Sequence, residues 1–146
     1  MTGRVLAVDP GQARIGLAIS DALGVTAQPI DHLEHVGSRR DLNNIAERAR
    51  ANDVHTVVIG LPLTLAGDDG PAATVSRQMA EGLQRRLPGV RIELWDERLT
   101  TVQAERTMVA GNVRRKKRRQ RIDSLAATLI LQNWLDAQAF ERTDSD

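Results

Sequence analysis

The chain has 146 residues, a length typical of one domain that buries a core of its own. Hydrophobic residues make up 41% of it and aromatic residues 2%, which argues against disorder and predicts a core of Val, Leu, Ile and Ala. The absence of cysteine excludes disulfides and cysteine-based zinc sites. No apolar run is long enough to span a membrane and no signal-peptide pattern precedes the first strand, so we expect a cytoplasmic protein.

Positive charge is concentrated in one short segment, called the basic run below. The net charge is +1, yet seven of the eight residues from 114 to 121 are Lys or Arg. Without those seven, 13 basic residues remain against 19 acidic ones. A localised basic run predicts a polyanion partner, although a solvated loop is the plainer interpretation. The basic residues of the run are Arg114, Arg115, Lys116, Lys117, Arg118, Arg119 and Arg121.

The first third of the chain is predicted to form three strands. Residues 5–8 are a continuous apolar run, and the turn residues of Asp9-Pro10-Gly11 end it. Residues 15–19 alternate in polarity, and the short connection predicts an antiparallel hairpin. A third strand is predicted around residues 25–33, with Pro29 placing it near a sheet edge.

The middle of the chain is predicted to alternate helices and strands. A helix begins at Ser38, where Asp41 completes a capping-box-like pattern, and a buried strand covers residues 54–59. Pro71 is placed at the first turn of a second helix, and residues 90–95 form the next strand. The predicted buried stripe of the second helix is Val75, Met79, Leu83 and Leu87.

The last third is predicted to be helical. A capping pattern at Thr100 opens one helix that Gly111 ends, and the final helix starts near Ile122. Strands joined through helices imply a parallel portion of the sheet, and the first three strands imply an antiparallel portion. The predicted fold is α/β, a mixed five-stranded sheet flanked by helices, in one domain over residues 1–140 with a polar tail over 141–146.

Four acidic residues stand where carboxylates can meet outside the core. Asp9 follows the first strand, Asp96 and Glu97 follow the strand ending at residue 95, and Asp123 begins the apolar final helix, whose N-terminus would stabilise its charge. Each has a plainer interpretation, as a turn residue, a partner of Arg98 or a helix cap. The hypothesis of one site depends on all of them being correctly placed together.

Such a set suits phosphodiester hydrolysis. That reaction needs an activated hydroxide and a countercharge for the transition state, and two divalent cations about 3.5–4 Å apart supply both. Mg²⁺ and Mn²⁺ prefer oxygen ligands such as carboxylates. A nucleophilic serine mechanism has no support, because Ser20 and Ser76 have no histidine constellation near them, and His32 with His35 has the wrong context for a metal motif. The three histidines, His32, His35 and His55, are interpreted as structural or surface residues.

Four motifs in chain order resemble one known family. They are DPGQARIGLA at 9–18, VIGLPL at 58–63, DERLTTVQAE at 96–105 and IDSLAA at 122–127. Together they resemble the YqgF/RuvX family, described as Holliday junction resolvases and as pre-16S ribosomal RNA nucleases. The resemblance covers about residues 4–135 and implies an RNase H-like fold.

The resemblance also implies roles for the acids. Asp9 corresponds to the first-strand carboxylate, Glu97 to the carboxylate after the fourth strand, and Asp123 to the acid on the last helix; these three would be catalytic and would bind Mg²⁺ or Mn²⁺. Asp96 stays an alternative metal ligand, because regular strand alternation need not continue past the strand end. The predicted nucleic-acid contacts are Arg14, Arg98 and the basic run.

Several functions stay open at this stage. Processing of precursor ribosomal RNA, with association to ribosome precursors, is favoured over cutting of branched DNA, which usually requires a symmetric homodimer. A non-catalytic nucleic-acid-binding module in ribosome assembly is a second hypothesis. A nucleotide-binding enzyme of the sugar-kinase type is a third, but 146 residues hold only one of the two lobes that it needs.

Overall fold

The computed structural model of the chain describes residues 3–99 and 115–145, and the side chains of residues 125–141 within the last helix. Five strands form one sheet in the order β3-β2-β1-β4-β5. The strands are β1 (Arg4–Pro10), β2 (Arg14–Ser20), β3 (Ala27–Glu34), β4 (Val54–Leu61) and β5 (Arg91–Asp96). The helices are α1 (Ser38–Ala51), α2 (Pro71–Arg86), α3 (Arg115–Ser145) and a short 3-10 helix (Glu97–Leu99).

The sheet is mixed, as the sequence predicts. β1 pairs antiparallel with β2, and the hairpin closes with Asp9 opposite Gly16. β1 pairs parallel with β4, and β4 pairs parallel with β5, because a helix returns the chain between those strands. β3 is an edge strand, which is where Pro29 is tolerated because it lacks a backbone donor.

The sheet has two buried faces with different helical covers. Leu6 and Val8 of β1 pack in one apolar cluster with residues of α1 and α2, such as Ile45 and Leu83. Side chains alternate along a strand, so Val5 and Ala7 point to the other face. There they pack against α3 in a second cluster. The α3 residues of that cluster are Ala126, Ala127, Leu129, Ile130, Leu131, Trp134 and Leu135.

Two details of the predicted helices are wrong. The residue that caps α1 is Gly37, and no side chain caps the helix, so Ser38 does not form the predicted capping box. Asp41 instead accepts a hydrogen bond from the Val36 N–H at 3.0 Å. In α2, Val75 is 50% exposed, whereas Met79 and Leu83 are buried as predicted.

The last helix is longer than predicted. α3 begins at Arg115, seven positions before Ile122, and continues to Ser145, past the predicted boundary between domain and tail. The basic run from Arg115 onward therefore lies within the first two turns of a helix. The helix predicted from Thr100 to Gly111 falls outside the described residues, as does Arg114.

Candidate active site

Asp9 is the last inward-facing residue of β1 before the hairpin turn. It is 7% exposed and lies opposite Gly16 of β2. By strand alternation it shares a face with Val5 and Ala7, which pack against α3. A carboxylate therefore lies at the end of β1 on the α3 face of the sheet.

Glu97 is the second buried carboxylate. It is the first residue of the 3-10 helix after β5, the fifth strand of the sheet rather than the fourth that the resemblance implied. The side chain is 2% exposed, although Glu is rarely buried unless paired or used. Its neighbours include Gly60 of β4 and, through Gly60, Ile130 of α3. Glu97 therefore also lies on the α3 face.

Gly60 separates the two carboxylates. Val8 pairs with Ile59 in the parallel β1–β4 ladder, so the next position of β1, Asp9, stands beside Gly60. A Cβ at Gly60 would come 2.8 Å from Ile130 Cδ1 and 3.4 Å from Glu97 Cδ. The missing side chain therefore leaves room for the Glu97 carboxyl and for close approach of α3.

The backbone of Gly60 is held from the other face of the sheet. The buried Ser76 hydroxyl of α2 donates a hydrogen bond to the Gly60 carbonyl at 2.8 Å. The sequence predicts the end of this strand at residue 59 and assigns no role to Gly60 or Ser76. A glycine inside a strand is the available signal, since it often marks close approach of another group.

Asp96, the alternative to Glu97, is engaged differently. Its carboxylate accepts hydrogen bonds from Arg98 Nε at 3.1 Å and Nη2 at 2.8 Å, and from the Arg98 backbone N–H at 2.9 Å. The Arg98 guanidinium holds the pKa of Asp96 below its ordinary value, and the same contact raises the pKa of Arg98. Asp96 thus carries the plainer role that the sequence allowed, as a partner of Arg98.

Asp123 is the ninth residue of α3, and its side chain lies outside the described set. The charge on a residue so far from the N-terminus gains nothing from the helix dipole, because that effect falls off within the first turn. The expectation that the N-terminus stabilises Asp123 is therefore wrong. Its backbone position precedes the sheet-packing residues Ala126 and Ala127 by three and four positions, a spacing that keeps residues on one helical face.

The direction of α3 points its N-terminal part, which contains the backbone of Asp123, toward the C-terminal ends of β1 and β4. Ile130 lies over Gly60, near the C-terminal ends of β4 and β1. Further along the helix, Gln132 accepts a hydrogen bond from the Ala27 N–H and donates one to the Val25 carbonyl, each at 3.0 Å. These residues lie at or just before the start of β3, which is across β2 from the N-terminal end of β1. The part of α3 before Ile130 therefore extends toward the edge that carries Asp9 and Glu97.

The two predicted arginine contacts already have acidic neighbours. Arg14 begins β2, with its side chain 25% exposed and its Nε atom 3.7 Å from Glu34 Oε1. Arg98 is bound to Asp96 as described, and its Nη1 atom would lie 3.1 Å from a Cβ at Gly67. Both remain partly accessible at this edge.

Carboxylates on two strand ends fit a hard divalent cation. Asp9 and Glu97 offer only oxygen donors, the type that Mg²⁺ and Mn²⁺ prefer. Within residues 3–99 and 125–141, no three His, Cys, Asp or Glu side chains form a group that could hold a metal ion. Of the three residues that the resemblance implies as ligands, the described side chains include Asp9 and Glu97. It also contains no helix long and apolar enough to cross a membrane.

Comparison with known proteins gives a consistent family. Residues 3–137 match the family model described as RuvX: Holliday junction resolvase. The chain is 46% identical over 141 residues to a Myxococcus xanthus protein named "Putative pre-16S rRNA nuclease", covering 97% of this chain and 93% of that one. A Roseiflexus protein of the same name is 44% identical over 136 residues, covering 93% and 96%.

A solved structure shares the architecture. The chain aligns with Thermus thermophilus RuvC in complex with a Holliday junction substrate at a TM-score of 0.58 and 14% identity, covering 94% of this chain and 96% of that one. At that identity the likeness shows the fold alone, and the RNase H-like fold is confirmed. The sequence relatives are named as nucleases, which are hydrolases acting on phosphodiester bonds. The chain belongs to the RuvX family, described as Holliday junction resolvases.

Proposed function

We propose that this protein is a divalent-metal-dependent endonuclease that processes precursor 16S ribosomal RNA in the cytoplasm. The observation that supports this most strongly is the pair of buried carboxylates, Asp9 and Glu97, on either side of Gly60. Two acids buried near each other destabilise the fold unless hydrogen bonds or positive charge compensate them. A divalent cation is one source of that positive charge, and binding it would give the pair a function.

Asp9, Glu97 and Asp123 would hold Mg²⁺ or Mn²⁺ in this proposal. When bound, the metal supplies an activated hydroxide and charge for the in-line displacement at phosphorus. Asp9 and Glu97 would fix the ligand geometry, because strands and a short helix anchored in the core position them. Asp96 would orient Arg98 instead of binding metal, because three donor groups of Arg98 already occupy its carboxylate.

The substrate would be held by charge next to the metal site. The helical part of the basic run, from Arg115 to Arg121, immediately precedes Asp123 in α3. Lys and Arg side chains there would neutralise backbone phosphates of the RNA and release counterions. The names of the relatives favour precursor ribosomal RNA as that substrate.

The test is cleavage by purified protein of a labelled precursor 16S RNA, a single strand and a four-way DNA junction, each with Mg²⁺ and with Mn²⁺. We expect the wild-type protein to cut the RNA, and Asp9→Asn to lose at least about 100-fold in rate, because groups that merely orient metal ligands are worth 10–100-fold. The matched control is Asp53→Asn, at the α1–β4 connection. Full activity in Asp9→Asn would refute the site.

A second candidate function is Holliday junction resolution, which the description of the matching family model favours. Resolution needs two equivalent sites placed on two strands, and hence a symmetric dimer. The same assay distinguishes the functions, because paired cuts in the four-way junction with no cut in the RNA would replace our proposal with resolution.

A further inference from the structure

A cavity lies on the other side of the strand end that carries Asp9. Its volume is about 460 Å³, within the roughly 300–1,000 Å³ of small-molecule sites. Pro10 and Gly11, which follow Asp9 directly, form one wall, and the first turns of α1 and α2 form the others. The cavity therefore opens at the same end of the strands as the candidate active site, but on the α1–α2 face of the sheet.

The walls of this cavity are mainly aliphatic. Ile15, Leu42 and Met79 form part of the lining, and all three belong to or pack on the apolar cluster of the α1–α2 face. Val75 also lines it, and this explains the 50% exposure of a residue that the helical pattern predicted to be buried. A flat apolar group would be desolvated here.

The polar residues of the cavity are two glutamines, Ser38, His35 and one acid, Asp41. Gln12 and Gln78 are exposed and contribute side-chain amides to the lining. His35 contacts the buried Asp41 carboxylate through Nδ1, and its backbone N–H donates to the Ala13 carbonyl at 3.0 Å. The ring is therefore held in place and has Nε2 as its other polar atom.

The charge of the lining decides whether a phosphate group or a nucleobase fits the cavity better. No Lys or Arg is among the described residues that line the cavity. Its one carboxylate, Asp41, is engaged by His35 and by the Val36 N–H. A phosphate would meet the N-termini of α1 and α2, which favour an anion, but it would also meet an acid and no Lys or Arg of the described lining. A nucleobase is planar and uncharged, and it matches aliphatic walls with amide and imidazole hydrogen-bonding groups.

We propose that this cavity binds an unstacked nucleobase of the RNA, from a nucleotide next to the scissile phosphate that would bind at the metal site of Asp9. The inference rests on the proposed nuclease function, because that function supplies the RNA to which the base belongs. Single-stranded RNA is commonly recognised through such splayed-out bases. Binding one base on the far side of Pro10 and Gly11 would fix where along the strand the phosphate enters the metal site.

The test measures base binding without catalysis. Backbone amide NMR shifts of the full chain are recorded with each of the four ribonucleoside 5′-monophosphates and with ribose 5-phosphate. We expect shifts at Gly11, Val75 and Met79 with at least one nucleotide and none there with ribose 5-phosphate. Equal shifts with ribose 5-phosphate would identify a phosphate site at the N-termini of α1 and α2, and would overturn the proposal, as would no shift with any nucleotide.

Two variants of lining residues and one control connect these shifts to the cavity. Val75→Trp should fill it and abolish the shifts, whereas Gln84→Trp, exposed on the same helix but outside the lining, should keep them. Gln78→Leu removes one amide without filling the space and should weaken binding by roughly 2–10-fold, the value of one hydrogen bond. If Val75→Trp does not fold, nucleotide binding by Gln78→Leu decides the test. Unchanged binding in Gln78→Leu and in a folded Val75→Trp would refute the assignment.

The outcome is separable from that of the nuclease assay. Asp9→Asn should retain the nucleotide shifts while losing cleavage, because Asp9 faces α3 and does not line the cavity. Loss of the shifts in Val75→Trp with unchanged cleavage rate and unchanged cleavage position would overturn the role of the cavity in placing the substrate. The nuclease proposal would survive that result.

Discussion

At the scale of single residues, neighbouring acids have acquired different environments. Asp96 is partly exposed and bound by Arg98, whereas Glu97 is buried against Gly60. The two differ by one position, yet strand alternation and the start of the 3-10 helix direct them to different surroundings. Their substitutions should therefore have different consequences.

Glu97→Gln should reduce cleavage by at least about 100-fold, since it removes the charge of a proposed metal ligand. Asp96→Asn should lose less than about 10-fold, because it disturbs only the orientation of Arg98. The measurement is the single-turnover rate at saturating metal for each variant. A larger loss in Asp96→Asn than in Glu97→Gln would exchange the two roles.

The ion pair between Asp96 and Arg98 should make stability depend on pH. The folded-state pKa of Asp96 lies below its ordinary value of 3.8 because Arg98 hydrogen-bonds the charged form. This contribution to the free energy of unfolding is fully present above that ordinary value and is lost as pH falls through the lowered pKa. Urea unfolding of wild type and Asp96→Asn should differ at pH 6 and converge below pH 3.8. A difference independent of pH would contradict this.

At the scale of elements, the site depends on how closely α3 approaches β4. Gly60 permits that approach, and Ile130 fills the space above it. Gln132 also holds the helix against the start of the edge strand β3, through its hydrogen bonds to Ala27 and Val25. Its packing therefore determines where Asp123 stands relative to the two strand-end acids.

Gly60→Ala should destabilise the fold by about 1–3 kcal/mol, because the new methyl group overlaps Ile130 Cδ1. Ile130→Val removes that atom, so the double variant should recover stability relative to Gly60→Ala. Cleavage should stay reduced in the double variant, because the methyl group still contacts the Glu97 carboxyl. Thermal melts and cleavage rates measure both effects. Full recovery of cleavage would show that Gly60 serves packing alone.

The basic run should contribute affinity in a salt-dependent way. Lys116→Gln with Lys117→Gln should weaken RNA binding and reduce the slope of log K against log salt by up to about 2, one for each lost phosphate contact. The matched control is Arg85→Gln with Arg91→Gln, two exposed arginines at the opposite edge of the sheet. Equal effects of the two pairs would show that only net charge matters.

At the scale of the whole molecule, one sheet separates the proposed metal site from the cavity. The α3 face carries the acids and the proposed metal site, whereas the α1–α2 face carries the larger apolar cluster and the cavity. Both open at the C-terminal ends of β1 and β4, the edge where ligands bind in open α/β sheets. One RNA strand crossing that edge would reach both.

The number of sites per particle should determine which substrate is cut. We expect a protein that is monomeric by sedimentation to cleave precursor RNA once and to nick a four-way junction without pairing the nicks, because paired cuts need two sites. Paired nicks from a monomer would contradict this expectation. A stable dimer that makes them would favour resolution.

The sequence alone predicted the five strands along the chain and their mixed pairing, and it proposed the acids Asp9, Asp96, Glu97 and Asp123 as a site. Apolar periodicity, the Asp-Pro-Gly turn and Pro29 act locally, so they can be interpreted without knowing the fold. The family motifs added the preference for Glu97 over Asp96 and the expected roles of the acids. The resemblance extended over nearly the whole chain, and the family model confirms it.

Only the tertiary structure decided the remaining features. The start of α3 at Arg115 was missed because strong positive charge was interpreted as a loop signal, although Lys and Arg are good helix formers. The engagement of Asp96 by Arg98, two positions away, was among the interpretations that the sequence offered, and the structure selects it. The spacer role of Gly60 and the exposure of Val75 each depend on what lies opposite. Gly60 and Ile130, for example, are 70 positions apart. A local sequence pattern does not indicate which distant residues will be in contact.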